Sequence, residues 1–177
     1  NLQKIKDPSK LISKRKRRYI QQLHASKVYN IQKSTDFKTF YAILLESKNN
    51  FKTKPTHSLK ELQIIYKLFP EDCMLLLSYK DKKVVGGSLV FIANKTTGII
   101  FYNAILNKYK NTQLASYQFY HCMKYCKNKN LNYIDFGVSH IPENKNPLTP
   151  KPSLIQFKEQ FGAKGLIRYA YEKTYNE

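Results

Sequence analysis

Acidic residues are scarce in this chain of 177: 12 Asp and Glu stand against 31 Lys and Arg, for a net charge of +19. Cysteine is scarcer. Cys73, Cys122 and Cys126 are odd in number and too few for a disulfide framework. No apolar run approaches the ~20 residues that a membrane helix needs; even the run from Cys73 to Leu77 stops at Ser78. The N-terminus opens on lysines and Pro8, without the apolar stretch of a signal peptide. A cytoplasmic protein with no membrane insertion is therefore expected. Arginine is rare too: Arg15, Arg17, Arg18 and Arg168 are the whole set, while Lys, Asn, Ile and Tyr abound. That mixture follows an AT-rich genome more than a reader of nucleic-acid bases, which favours arginine for bidentate contacts. Charge alone supplies only non-specific attraction to a polyanion such as tRNA.

What is present suits one folded domain. The hydrophobic share is 42% and the aromatic share 14%, enough for a core. Ile12, Tyr19, Ile20 and Leu23 fall at helical spacing around the charge run Ser13–Arg18, which predicts a basic amphipathic helix within residues 10–24. Val28–Ile31 predicts a short strand. Phe37, Phe40, Tyr41, Leu44 and Leu45 predict a helix with Ser34 as N-cap and Asp36 in its first turn. Ser58 and Glu61 form a capping box for a helix carrying Leu59, Leu62, Ile65, Tyr66 and Phe69, ended by Pro70.

The period then becomes that of strands, at Cys73–Tyr79, Val84–Ile92 and Ile99–Ala104, with a bend at Gly86–Gly87. Their short turns make them antiparallel. Ala115, Phe119, Cys122, Met123 and Cys126 mark one face of a helix from Asn111 to Lys127, which feeds a strand at Asn132–Phe136. A strand–helix–strand unit is a right-handed crossover, so its two strands should lie parallel. A Pro-rich loop, Pro142–Pro152, leads to a short helix at Ser153–Phe161, ended by a left-handed Gly162. Leu166–Tyr171 predicts a last strand. There is no internal repeat.

This element order resembles the layout of the N-acetyltransferase (GNAT) superfamily. Ile134-Asp135-Phe136-Gly137-Val138-Ser139 resembles the D-F-G strand end of its FemAB-like, peptidoglycan-bridge branch. Leu154–Ala163 is similar to that branch's F-K-x-x-F-G-A segment, and Pro55–Leu62 resembles a segment of its bacterial relatives. The basic helix Ser13–Ile20 resembles the connector before a second domain. The resemblance implies an α/β fold with a mixed, mostly antiparallel central sheet, a splayed parallel strand pair and helices on both faces. It also implies an acyltransferase domain over residues 27–177 after a basic segment, 1–26. FemAB-like proteins carry two such domains and this chain has room for one. A C-terminal half partnered by a preceding GNAT-like domain and a single-domain form both stay open.

The chemistry so implied is attack of an amine on an activated acyl donor, either acetyl-CoA or another acyl-CoA, or an aminoacyl-tRNA. The splayed strands would line the donor's slot with Tyr102, Asn103 and Ala104. Its phosphates would meet the next helix N-terminus, among Lys108, Lys110, Asn111, Thr112 and Gln113. Acetyltransferases usually carry a Gln/Arg-x-x-Gly-x-Gly/Ala loop there. Asn107–Ala115 has no glycine for close backbone approach, and Lys108 and Lys110 would supply charge instead. Lys158, the lysine of F-K-x-x-F, is the leading catalytic candidate, as a fixed ammonium for an oxyanion or phosphate; otherwise it is one more solvent lysine. Asp135, at a parallel strand's C-terminal end, is either a site carboxylate or a group bonding loop amides. His57 and His140 are candidate bases near neutral pH, each with a structural alternative. Glu159 should face elsewhere on its helix. His121, Cys122 and Cys126 lack the ligand set of a zinc site, so no metal is expected and the thiols read as small core hydrophobes.

Two functions follow. One is an N-acyltransferase acting on a small-molecule or peptide amine. The other is a non-catalytic module of the same fold, holding tRNA, another nucleic acid or an anionic cell-wall precursor on its lysine surface.

Overall fold

The computed structural model describes residues 1–50, 53–141, 146, 149–167, 171, 173 and 174. They belong to two compact units, Asn1–Val138 and Ser139–Glu177.

The first unit opens with two 3-10 turns, Leu2–Lys4 and Pro8–Leu11, capped by the side chains of Asn1 and Asp7. Helix α1 (Lys14–Ser26) follows, burying Ile20. It runs further than the expected residues 10–24, and Lys27 closes it in left-handed backbone at φ 53. Strand β1 (Asn30–Ser34) is therefore displaced from the expected Val28–Ile31.

Helix α2 (Phe37–Asn49) is capped by Asp36, whose Oδ1 accepts the Thr39 N–H at 3.0 Å. Ser34, the expected cap, is instead the last residue of β1, paired with Leu75. Its hydroxyl accepts the Asp36 N–H at 3.1 Å, so both side chains serve the same chain reversal. Helix α3 (Leu59–Leu68) begins with the expected capping box: Ser58 Oγ accepts from Glu61 N, and Glu61 Oε2 accepts from Ser58 N at 2.7 Å. Ser58→Ala is expected to lower stability by about 1 kcal/mol, read as a lower urea midpoint at unchanged m-value.

The sheet adds β2 (Cys73–Lys80), β3 (Lys83–Asn94), β4 (Thr97–Ile105) and β5 (Tyr133–Asp135), in spatial order β1-β2-β3-β4-β5. All neighbours are antiparallel except β4 and β5, which are parallel across helix α4 (Leu114–Asn128). Strand alternation divides the core. Cys73, Leu75, Leu77, Leu89, Tyr102 and Ala104 pack with Phe37, Phe40, Ile43 and Leu44 of α2 and Leu62 of α3. Ser78 and Ser88 turn to the other face, where Gln118 and Cys122 of α4 meet them.

Three details depart from expectation. The irregularity between β2 and β3 leaves Val85 as the extra residue, beside and not at the expected Gly86–Gly87, because Ser78 pairs with Gly86 and Tyr79 with Val84. Helix α4 starts after the expected Asn111 because Thr112 bonds back to Tyr109 and Gln113 is left-handed at φ 61. β5 is shorter than Asn132–Phe136, for reasons given below.

In the second unit His140 bridges Pro150 in antiparallel fashion, and helix α5 (Pro152–Glu159) starts on a proline suited to a first turn. Gly162 is left-handed at φ 77, as expected. The expected strand at Leu166–Tyr171 is not found: Leu166 and Ile167 are in no strand and are exposed, and 168–170 lie outside the described residues. Of the Pro-rich loop, 142–145, 147 and 148 also lie outside them.

Candidate active site

β4 and β5 pair at three positions only, Thr97↔Tyr133, Gly98↔Ile134 and Ile99↔Asp135, while β4 continues to Ile105. Both strands contribute to the divergence. On β5, Asp135 Oδ1 accepts the Gly137 N–H at 2.6 Å and Gly137 turns left-handed at φ +71. Such a backbone suits glycine and takes the chain out of the strand. On β4, Leu89 pairs with Tyr102 and Val90 with Ile100, so Phe101 is the extra residue of a bulge, which bends and twists its strand.

Register decides what faces the opening. Leu106 N donates to Val85 O at 3.0 Å, and antiparallel bonding alternates from there. Tyr102 and Ala104 therefore bond β3. The N–H and C=O groups of Asn103 and Ile105 point the other way, where no β5 residue pairs with them.

Ring side chains collect at the bulge. The Phe101 ring lies 4.8 Å from Tyr102 and 5.0 Å from Phe91, and His57 approaches it edge-on at 5.3 Å. The His57 backbone N–H donates to the Tyr102 hydroxyl at 3.3 Å, and its ring Nδ1 lies 3.4 Å from the same oxygen. His57 immediately precedes the Ser58 cap, so the start of α3 sets its position. Under the sheet, the Ser88 hydroxyl donates to Asn103 Oδ1 at 2.6 Å. Gln118 Nε2 donates to Ser78 Oγ at 2.9 Å and lies 3.4 Å from Ala104 O.

The structure thus brings His57 and Tyr102 together and sets Asn103 at the opening. Ala104 is buried in the α2–α3 core, and its backbone bonds β3 instead of facing the opening. The Asp135 carboxylate holds the turn that ends β5. Lys108 lies over the Tyr109 ring at 5.2 Å, while Lys110 and Asn111 are exposed. Thr112 bonds Tyr109 O, and Gln113 is the N-cap residue of α4. There Lys16 Nζ donates to Gln113 Oε1 at 2.7 Å and to Ser116 Oγ at 3.2 Å. Burial, then the neighbouring Arg15, hold the Lys16 ammonium below the ordinary lysine pKa. Sequence reasoning saw the basic run but had no signal to single out Lys16. In the second unit, His140 joins its bridge through backbone, Glu159 is exposed, and Lys158 is only 7% exposed on the last turn of α5.

The cysteines lie in the core. Burial pushes the Cys122 and Cys126 thiols up to about 12, and Cys126 Sγ would lie 2.7 Å from a Cβ added to Gly98. Burial, then Lys124 and His24, hold His121 down to about 4.

FemX superposes on 87% of this chain with a TM-score of 0.71 at 15% identity, and the chain spans about half (55%) of FemX. An aminoglycoside acetyltransferase from an uncultured soil metagenomic sample matches at TM-score 0.60 and 12% identity, over 84% of this chain and 98% of that one. Glucosamine-6-phosphate N-acetyltransferase from Arabidopsis thaliana matches at 0.54 and 11%, over 81% and 97%. No family model and no curated protein matches the sequence. At these identities the likeness is one of fold.

Proposed function

We propose that this chain, whose fold is that of the GNAT N-acetyltransferases, is an N-acyltransferase passing an acetyl or aminoacyl group from an activated donor to an amine. The observation that carries it is the opening beyond Ile99 and Asp135, into which β4 presents unpaired backbone groups. A donor lying there takes the place of a strand. The Asn103 N–H can then bond its acyl oxygen, and bonds it more strongly as that oxygen becomes an anion in the tetrahedral intermediate. The attacking amine must lose a proton and the departing thiolate or alkoxide must gain one. His57 serves as the base and the Tyr102 hydroxyl, against which it rests, as the acid. The C–N bond forms as the C–S or C–O bond of the donor breaks.

Lys16 serves the donor's phosphates. Its ammonium sits at the first turn of α4, where the helix dipole already favours an anion. Either an acyl-CoA or an aminoacyl-tRNA meets that requirement. The acceptor is a small-molecule or peptide amine, with a cell-wall peptide as the proposal for a FemAB-like enzyme, and a preceding GNAT-like domain as its proposed partner. The glycine-free segment Asn107–Ala115 favours a second reading, a binding module that holds an RNA or anionic precursor without turnover.

A thermal shift separates these. Acetyl-CoA at 100-fold over its Kd stabilises the native state by about 2.7 kcal/mol, a rise of several degrees in Tm. A shift with acetyl-CoA and with coenzyme A supports a CoA-dependent enzyme. No shift, with turnover of an aminoacyl-tRNA, assigns the other donor. No shift and salt-sensitive tRNA binding without turnover leaves the binding module and removes the enzyme.

A further inference from the structure

At the β1 edge of the sheet, remote in strand order from the β4–β5 opening, lies an open hollow of about 440 Å³. Its walls include Lys27 from the end of α1, Asn30 and Gln32 of β1, and Tyr79, Lys80 and Lys82 around the β2–β3 turn. Asp81 is the one carboxylate in that lining.

Two of these lysines occupy positions that suit other residues. Lys27 follows α1 at φ 53, and Lys82 is in the tight β2–β3 turn at φ 65, after Asp81 at φ 48. Left-handed backbone favours glycine, then asparagine or aspartate. Asparagine fits that backbone better, as Asn130 does at φ 61. Of the five left-handed non-glycine residues among those described, Lys27, Asp81 and Lys82 border this one hollow. What lysine adds at these places is a mobile ammonium.

Tyr79 is the one aromatic ring in that lining. Ammonium groups, a tyrosine ring and side-chain amides in one lining match the three parts of a nucleotide: phosphate, base face and base edge. The volume suits a single nucleotide unit.

We infer that this hollow binds a nucleotide, Lys27, Lys80 and Lys82 taking its phosphate and Tyr79, Asn30 and Gln32 its base and sugar. A free nucleotide and one unit of single-stranded RNA share this chemistry.

The test uses the whole chain, with ATP followed by calorimetry and a labelled oligouridylate by anisotropy, at low and high salt. The variant Lys27→Asn/Lys82→Asn removes two ammonium groups while keeping residues that accept left-handed backbone. Its control, Lys60→Gln/Lys67→Gln on exposed positions of α3, removes the same charge. The asparagine pair is expected to weaken binding by about tenfold, and the control by less than about twofold. The Tm of the asparagine pair should hold or rise. Binding of ATP assigns a free nucleotide, and binding of the oligouridylate alone assigns RNA; either supports the site. Equal losses in both pairs, no loss in the asparagine pair, a lower Tm in that pair, or no binding of either ligand at low salt overturns it.

Discussion

On the proposal that Lys158 supplies a fixed ammonium to the reaction, Lys158→Ala is expected to reduce acyl transfer by roughly 10²-fold or more, the scale of losing one preorganised charge-stabilising donor. Lys158 is 7% exposed, which sets it apart from the chain's many solvent lysines. A buried ammonium is strongly disfavoured unless it is paired or hydrogen-bonded, and we propose that Lys158 is held for its charge. The helix that carries it begins at Pro152 and ends at Glu159, with Lys158 in its last turn. Packing and charge can be told apart by Lys158→Met, which keeps the apolar stem and removes the ammonium. If Lys158 acts on the donor, the methionine variant is as inactive as the alanine one while its urea midpoint stays near that of the parent. Full activity in Lys158→Met makes the residue part of the core instead.

Phe40→Ala is expected to destabilise the protein by about 3–5 kcal/mol, the sum of lost transfer free energy and the cavity left behind. Phe40 is wholly buried on α2, in the cluster that holds Leu62, Leu75, Leu77, Leu89 and Tyr102. Its ring also fills the space over Gly87, where an added Cβ would lie 2.8 Å from Phe40 Cδ2. A loss of that size is a large share of the 5–15 kcal/mol typical of a domain. Because Tyr102 belongs to the same cluster, catalysis should fall with the folded fraction. Leu68→Ala is the contrast: Leu68 is 64% exposed at the end of α3, and its change should stay within about 0.5 kcal/mol. Urea unfolding at constant m-value measures both, and similar losses in the two would mean that the α2–sheet core is not where the stability lies.

Much of this architecture was legible in the residues. The unbroken apolar run at Cys73–Leu77 and the β-branched run at Val84–Ile92, interrupted by Gly86, Gly87 and Ser88, read as strands, and Ser58 with Glu61 announced α3. Ser34 and Asp36 show where legibility ended. Both are good N-caps, and the choice fell to Asp36 because Ser34 is tied into the sheet opposite Leu75. The opening between β4 and β5 was expected from resemblance, but its cause was not visible. The bulge at Phe101 arises from register against β3, which no single residue announces. Asp135 was read as a site carboxylate or a loop-bonding group, and its Oδ1 accepts from the Gly137 N–H. Lys108 and Lys110 were expected at the helix N-terminus; it is Lys16, distant in sequence, that bonds Gln113 there.

Amide hydrogen exchange resolved by residue tests the opening directly and needs no ligand. Tyr102 and Ala104 bond β3 through their backbone, and Asn103 and Ile105 face the gap. The N–H groups of Asn103 and Ile105 should therefore exchange much faster than those of Tyr102 and Ala104, and should slow when a donor fills the gap. Equal, strong protection along all four residues in the free protein would mean that β4 is bonded on both sides, and the donor would have no place to lie.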